Sequence, residues 1–120
     1  MTTNQKHLYM IESMGFYKIG HSCDLKNRLA ELSTGNPLPI TLISVGLCID
    51  LEEIDNSARL AERIWHKHLK VFRRSGEWFA LPKQLAEIVS DMIEGDELPI
   101  LGDKDYDPLL QWQNNEHART

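Results

Sequence analysis

Residue types that favour β-structure occur in two short runs near the N-terminus. Residues 7–11 and 16–20 combine aromatic, β-branched and other large side chains that suit a pleated sheet. Residues 12–15 lie between the two runs and include a glycine, so the pattern predicts a β-hairpin. If residues 12–15 form the loop, Tyr9 pairs with Lys18, and their side chains project from one face of the sheet.

The apolar positions that follow show a helical period in three segments and a continuous run in a fourth. Asp24 is placed to cap a helix whose leucines share one face and which ends near residues 33–36. The run at 40–49 is rich in β-branched residues and predicts a buried third strand. Helical spacing predicts two further helices, at 55–72 and 83–94. The pattern therefore predicts an α/β (α+β) domain with three strands and at least three helices.

Composition limits the domain organisation. The 120 residues are 42% hydrophobic, which supports one compact domain at residues 1–94. The acidic, turn-rich sequence at 95–120 is predicted to be a loosely held tail. No apolar run is long enough to span a bilayer. The N-terminus has no signal-peptide pattern, so we expect a cytoplasmic protein in which Cys23 and Cys48 are free thiols.

Charge is distributed unevenly along the chain. The formal net charge is -5, yet seven Lys or Arg and only two Glu lie between Arg59 and Lys83. A negative total argues against a protein that coats nucleic acid without specificity, whereas a local basic segment can still contact a phosphate backbone. The second predicted helix is therefore a candidate nucleic-acid surface.

Three basic side chains surround the bend between the second strand and the first helix. Lys18, His21 and Arg28 lie in the stretch 17–29, which is predicted to form a strand end, a glycine turn and a helix start. Backbone amides at a helix N-terminus add to the field of such side chains. The bend is therefore predicted to bind an anion, and a phosphate suits it.

Four separate elements of the sequence together carry a family resemblance. They are Leu-Tyr-Met-Ile at 8–11, Lys-Ile-Gly at 18–20, Arg28 and Glu77, and in this order they resemble the GIY-YIG endonuclease superfamily. The Gly-Glu-Trp-Phe element around Glu77 and the helix segment at 62–66 are similar to a compact branch found in phage and bacterial genomes. The resemblance extends over most of the chain.

The resemblance implies a three-stranded antiparallel sheet flanked by three or more helices, and hydrolysis of a DNA phosphodiester with one Mg²⁺ or Mn²⁺ ion. It implies that Glu77 holds the ion, that Arg28 contacts the scissile phosphate and that Tyr9 activates or orients the attacking water. Guanidinium and metal would both neutralise charge that builds up on the phosphorane. Lys18 and His21 complete the expected catalytic set.

The sequence departs from the family pattern at the two motifs that give the superfamily its name. Tyr9 lacks the glycine expected before it, and Lys18 stands where a tyrosine opens the second motif. Tyr17 lies one residue early and is expected to face the opposite side of the sheet. A lysine here, with His21 after the glycine, is similar to some restriction enzymes of the family and can bind phosphate or accept a proton. The histidine often found one turn after the arginine is Leu32 in this chain.

The DNA-contacting surface is predicted on the second helix and the segment that follows it. Its basic residues form either a track for the DNA backbone that ends beside Glu77 or an ordinary solvated helix face. Trp78 is either a wall of the cleft or a platform on which a base stacks. His66 either lines the cleft or makes a hydrogen bond within it. The predicted nucleic-acid-binding residues are His66, Lys67, Lys70, Arg73, Arg74 and Trp78.

These observations leave three functional classes open. The first is a metal-dependent DNA endonuclease, and the second is a catalytically weak or inactive module of the same fold that binds DNA without cutting it. The acidic tail and the negative net charge favour, more modestly, a protein-interaction domain. DNA is the expected partner, without a membrane or a small-molecule cofactor, and with a homodimer or a separate specificity partner as further expectations. Asp103, Asp105 and Asp107 raise the hypothesis that the tail mimics the substrate.

Overall fold

The computed structural model of the chain describes residues 5–49 and 57–118. In chain order, its strands and helices are β1 (Gln5–Ser13), β2 (Phe16–Ser22), α1 (Leu25–Gly35), β3 (Thr41–Ile49), α2 (Ser57–His68), β4 (Trp78–Phe79), α3 (Lys83–Glu94) and α4 (Pro108–Ala118). A short 3₁₀ helix, Lys70–Phe72, follows α2. Within the described residues the strands form one antiparallel sheet in the order β3-β1-β2-β4.

The predicted α+β class is confirmed, with the three predicted strands and the helix at 83–94 in place. The sheet has one strand more than predicted, because β4 is two residues long and too short to show an apolar period. The helix predicted at 55–72 ends at His68 and continues only as the 3₁₀ turn; residues 55 and 56 lie outside the described part. None of the helices in the described residues is long and apolar enough to cross a membrane.

The hairpin between β1 and β2 has a tighter turn than predicted. Its two turn residues, Met14 and Gly15, have φ angles of 52° and 86°, as a two-residue hairpin turn requires. Glu12 and Ser13 consequently remain in the strand, and Tyr9 pairs with Gly20 instead of Lys18. The predicted pairing was wrong by two residues. An even shift preserves the faces, so Tyr9 and Lys18 still project from one side of the sheet.

The sheet has two unlike faces. We call the face with Leu8, Met10, Tyr17 and Ile19 the core face; all four side chains belong to one buried cluster. Tyr17 is thus on the side opposite Lys18, as predicted. Helices α2 and α3 cover the core face. The buried contributions are Ala61 and Trp65 from α2, Leu69 directly after it, and Leu85, Ala86, Val89, Met92 and Ile93 from α3.

The end of α3 packs directly against β3. A Cβ atom on Gly46 would collide with the Ile93 carbonyl, so glycine lets the helix end approach the strand. Just beyond the helix, the Asp96 carboxylate accepts a hydrogen bond from the Leu47 N–H at 2.7 Å. These contacts fix α3 across the core face.

The segment after α3 is held more firmly than predicted. Asp107 is 4% exposed, and its carboxylate accepts hydrogen bonds from the Gly102 N–H at 2.8 Å and from His68 Nε2 at 2.9 Å. Leu109 and Trp112 pack against the core cluster. The expectation of a loosely held tail was wrong, because two apolar residues and one capping carboxylate suffice to dock it. Asp107 is also not free to mimic a substrate phosphate.

Candidate functional site

The second face of the sheet carries Tyr9, Ile11, Lys18 and Gly20, and we call it the site face. Tyr9 is 1% exposed although it is outside the main core cluster, because its ring lies across Gly20 on the neighbouring strand. A Cβ atom at Gly20 would overlap the phenol oxygen and the ring carbon that bears it. The glycine of the Lys-Ile-Gly run therefore makes room for the tyrosine of the first motif.

Arg28 meets the Tyr9 phenol from the first turn of α1. Asp24 caps this helix by accepting a hydrogen bond from the Asn27 N–H at 3.2 Å, as predicted, and the Arg28 N–H bonds to the Asp24 carbonyl at 3.0 Å. The cap fixes the direction in which the Arg28 side chain leaves the helix. The guanidinium lies close enough to the phenol for each side chain to influence the pKa of the other, so the structure brings Tyr9 and Arg28 together.

The phenol is a neutral group near pH 7. Burial raises the pKa of Tyr9 above its usual value of 10.0, and the fields of Glu62 and Glu77 act in the same direction. The interaction with Arg28 lowers the pKa of Tyr9 but does not cancel this rise. The interaction between Tyr9 and Arg28 also raises the pKa of Arg28, which stays charged. The Arg28 side chain is 40% exposed, so an approaching anion meets the guanidinium first and Tyr9 lies behind it.

Strand β4 brings two further predicted residues to the site face. Trp78 pairs with Lys18 across the β2–β4 edge, and Lys18 Nζ lies 5.9 Å from the centre of the Trp78 ring. Glu77, the residue before β4, approaches Lys18 Nζ to 3.2 Å with half of its side chain exposed. The site face therefore holds Tyr9, Arg28, Lys18, Glu77 and Trp78.

His21 and His66 belong to the side of the sheet that α2 covers. His21 Nδ1 lies 3.0 Å from the Glu62 carboxylate, and since a carboxylate only accepts, Nδ1 carries the proton. His66 Nε2 donates to the Ile19 carbonyl at 2.7 Å, just beyond the two residues of β2 that pair with β4. Of the two interpretations of His66, the satisfied hydrogen bond is confirmed. His21 keeps Nε2 as the nitrogen that can accept a proton.

Glu62 is a candidate that the sequence analysis missed. Its side chain is 18% exposed, and among the acidic groups that raise the pKa of Tyr9 it has a larger effect than Glu77. Glu62 and His66 are four residues apart and share one face of α2. That spacing was available in the sequence. The contact with His21, 41 residues away, was not.

The predicted basic residues separate into two groups. Lys67 and Lys70 line a cavity beside Pro99 and Leu101, on the C-terminal segment. Arg74 lines a different cavity together with Trp78, next to the site face. Arg73 Nε bonds to the Gly76 carbonyl at 2.6 Å and so shapes the loop that carries Glu77.

A divalent ion of the expected kind fits this chemistry only with help from solvent and substrate. Within residues 5–49 and 57–118 no three His, Cys, Asp or Glu side chains are arranged to hold a metal. Mg²⁺ commonly binds one or two carboxylates and keeps most of its waters until substrate phosphates complete its shell. Glu77 and Glu62 are both reachable from solvent and supply such oxygens.

The whole set lies within one recognised domain. A family model described as the T5orf172 domain matches residues 4–94, from β1 to the end of α3. The chain belongs to this family. All the predicted site residues lie inside the T5orf172 match, and α4 lies beyond it. No curated protein and no solved structure shows significant similarity to the chain.

Proposed function

We propose that this T5orf172 domain is a metal-dependent DNA endonuclease of the GIY-YIG type that hydrolyses phosphodiester bonds. The observation that carries the proposal is the buried Tyr9 phenol, which packs across Gly20 and interacts with Arg28, with Lys18 on the same face. Two cations beside a buried phenol and nearby carboxylates form a site for an anionic ester. The relationship of the T5orf172 domain to GIY-YIG folds supports the assignment.

The side chains divide the reaction between them. Arg28 and Lys18 bind the non-bridging oxygens of the scissile phosphate and stabilise the charge that grows there during attack. Tyr9 lies beside the guanidinium and helps to keep it charged, because its interaction with Arg28 raises the pKa of Arg28. His21 follows Gly20 in β2, and its partner Glu62 acts on the Tyr9 phenol, so this end of the strand connects the two faces; His21, oriented by Glu62, is the group that accepts the proton of the attacking water through Nε2. A bound divalent ion supplies additional positive charge at the phosphate.

Glu77 and Glu62 are both candidates to hold the ion. Glu77 is the residue predicted to hold the ion. In the structure it pairs with Lys18 at 3.2 Å, and a substrate phosphate that binds Lys18 would release the Glu77 carboxylate from this ion pair. Glu62 is less exposed and influences the Tyr9 phenol more strongly. Substitution of each residue separately tells the two assignments apart.

A second candidate function is favoured by the burial of Tyr9. A phenol that is 1% exposed, covered by Arg28 and neutral near pH 7, is poorly placed to activate water itself. If His21 does not act in its place, the same cations bind DNA without cutting it. The chain would then be a DNA-binding module of the same fold.

Cleavage of plasmid and branched DNA in Mg²⁺ or Mn²⁺ tests the endonuclease directly. Arg28→Ala is expected to lower the nicking rate by about 10²- to 10³-fold, because one charge-stabilising donor group is lost. The glutamate that holds the ion is the one whose change to glutamine raises the metal concentration needed for half-maximal nicking, while DNA binding in chelator persists. Glu94→Gln, on the exposed end of α3, is the matched control and is expected to cut normally.

Other outcomes decide against the enzyme. DNA binding that survives chelation, with no nicking by the wild-type protein in either metal, supports the binding module. Binding that is absent at low salt removes both proposals, since contacts to phosphates strengthen steeply as salt is lowered.

A further inference from the structure

We infer that a pocket beside the site face binds one unstacked nucleobase, so that the preferred substrate carries an unpaired nucleotide near the scissile phosphate. The inference rests on the proposed action on DNA and specifies the substrate class. The pocket, called the base pocket below, has a volume of about 370 Å³. Its lining includes Ser13, Phe16, Asn36, Leu38, Arg74 and Trp78.

Two aromatic rings and one leucine give the base pocket its apolar walls. Phe16 is 42% exposed and Leu38 is 48% exposed, and both line the same cavity as Trp78. Phe16 lies two residues before Lys18 on β2, and Lys18 pairs with Trp78, so both rings project from the site face. A flat base can stack on such rings whatever its identity.

Polar groups stand around these walls where the edge of a base would lie. The side-chain oxygen of Asn36, Oδ1, accepts a hydrogen bond from the Leu38 N–H at 3.1 Å. The side-chain nitrogen of Asn36, Nδ2, is therefore the end that can donate to a ligand. The Ser13 hydroxyl is buried and has no hydrogen-bond partner among the described residues. Arg74 adds a cation that suits a nucleotide better than a neutral ligand. Apolar faces with a polar edge match a nucleobase.

The base pocket is continuous with the proposed catalytic groups. Trp78 lines both this pocket and a second cavity that includes Lys18 and Glu31, and Glu31 Oε2 lies 3.5 Å from Arg28. Phe16 and Gly20 are four residues apart on β2, which corresponds to about 13 Å. A strand bound at Arg28 and Lys18 would therefore reach the base pocket within a few nucleotides.

A base inside an intact duplex is stacked on both sides and cannot offer its face to Phe16 and Trp78. Occupation of the base pocket requires a bulge, a flap, a single strand or a flipped nucleotide, and extrusion costs least where the base is already unpaired. The cations between the proposed catalytic groups and the base pocket favour a nucleic acid over a neutral peptide as the occupant of the pocket.

Binding to duplexes with a single bulged 2-aminopurine tests the inference, with all measurements in chelator so that cutting plays no part. The comparison duplexes carry an abasic bulge, which keeps the phosphates without the base, or no bulge. We expect about five- to hundredfold tighter binding of the 2-aminopurine bulge, with a change in its fluorescence on stacking. Phe16→Ala should abolish the preference, and Phe16→Tyr should keep it.

Tyr106→Ala is the matched control, because Tyr106 is 39% exposed and lies outside the base pocket. It is expected to bind all three duplexes as the wild type does. Equal affinity for the three duplexes, or a preference that survives Phe16→Ala, overturns the inference even if the wild type nicks DNA in Mg²⁺. Loss of the proposed function itself is recognised separately, as no nicking in metal. A folded Phe16→Ala variant is verified by its thermal unfolding midpoint.

Discussion

The two faces of the sheet are built from the same strands but are covered in different ways. On the core face, the four clustered side chains Leu8, Met10, Tyr17 and Ile19 are at most 8% exposed beneath α2 and α3. The site face lies next to α1, a fully described helix in which no residue is buried. Because successive side chains of a strand alternate between faces, one strand can serve packing and chemistry at once. In this molecule β2 does so with Tyr17 and Ile19 on one side and Lys18 and Gly20 on the other.

The difference indicates which property each face controls. Loss of a core-face side chain leaves a cavity in a close-packed interior, so it should lower the free energy of unfolding. Changes on the site face should affect reaction or binding more than stability, because its cations contact solvent. Tyr9 and Ile11 are exceptions, since both are buried on the site face.

The largest expected effect on stability is on the core face. Leu85→Ala, at a fully buried position of α3, should lower the free energy of unfolding by about 3 kcal/mol. Urea denaturation followed by circular dichroism measures it. Nicking per folded molecule should be unchanged, because Leu85 belongs to the buried core cluster, which includes no residue of the proposed mechanism.

Leu101→Ala provides the comparison, since Leu101 is 84% exposed and its removal should change the free energy by less than about 0.5 kcal/mol. If Leu85→Ala reduced nicking per folded molecule tenfold, packing and chemistry would not be separated between the faces.

Gly20→Ala is the corresponding change on the site face. The added methyl group would overlap the Tyr9 phenol and displace it from Arg28. We expect nicking to fall by about 10²-fold, because a displacement near 1 Å at a catalytic group has that effect. The cost in unfolding free energy should be about 1–2 kcal/mol, as for other overpacked positions.

Gly35→Ala is the matched control, because a Cβ atom there meets nothing within 4 Å. It should retain both activity and stability. Normal nicking by a folded Gly20→Ala variant would mean that the position of Tyr9 does not matter for the reaction.

Much of the architecture could be predicted from the sequence, because it depends on local signals. The cap at Asp24 and the helix at 83–94 each rest on residues close together in the chain, and both are confirmed. The hairpin register was wrong because Met14 adopts a positive φ, which is uncommon for a residue with a side chain. Helix α4 has little segregation of apolar residues, and its position depends on tertiary contacts: the bond of Asp107 to His68 and the packing of Leu109 and Trp112 on the core cluster.

Prediction of the site from the sequence was limited in the same way, because contacts between distant segments decide which residues meet. The pairing of Tyr9 with Arg28 agrees with the motif order, since both positions belong to the resemblance. Glu62 was counted among the acids of a basic segment and in the helix segment at 62–66, without a role at the site, and its proposed role depends on a contact with His21 across the fold. Motif order identifies residues that act together, whereas tertiary packing decides which additional groups join them.

The smallest expected effect concerns the stability contributed by Asp107, which binds the C-terminal segment to His68 at the end of α2. Burial alone would raise the pKa of Asp107, but hydrogen bonds from the Gly102 N–H and from His68 outweigh it and lower the pKa. A lowered pKa in the folded state stabilises the protein above the unfolded pKa of about 3.9 and is lost as pH falls through the folded value. Asp107→Asn should therefore reduce the free energy of unfolding by about 2 kcal/mol at pH 7.

The difference between wild type and Asp107→Asn should shrink as pH falls below about 4, because both proteins then lack the carboxylate charge. Urea denaturation at pH 7 and at the lowest pH where both proteins fold measures it. Asp91→Asn, at an exposed position of α3, should show no such dependence. A difference that stays constant with pH would mean that Asp107 docks α4 by shape alone, and the core-face side would then owe its stability entirely to apolar packing.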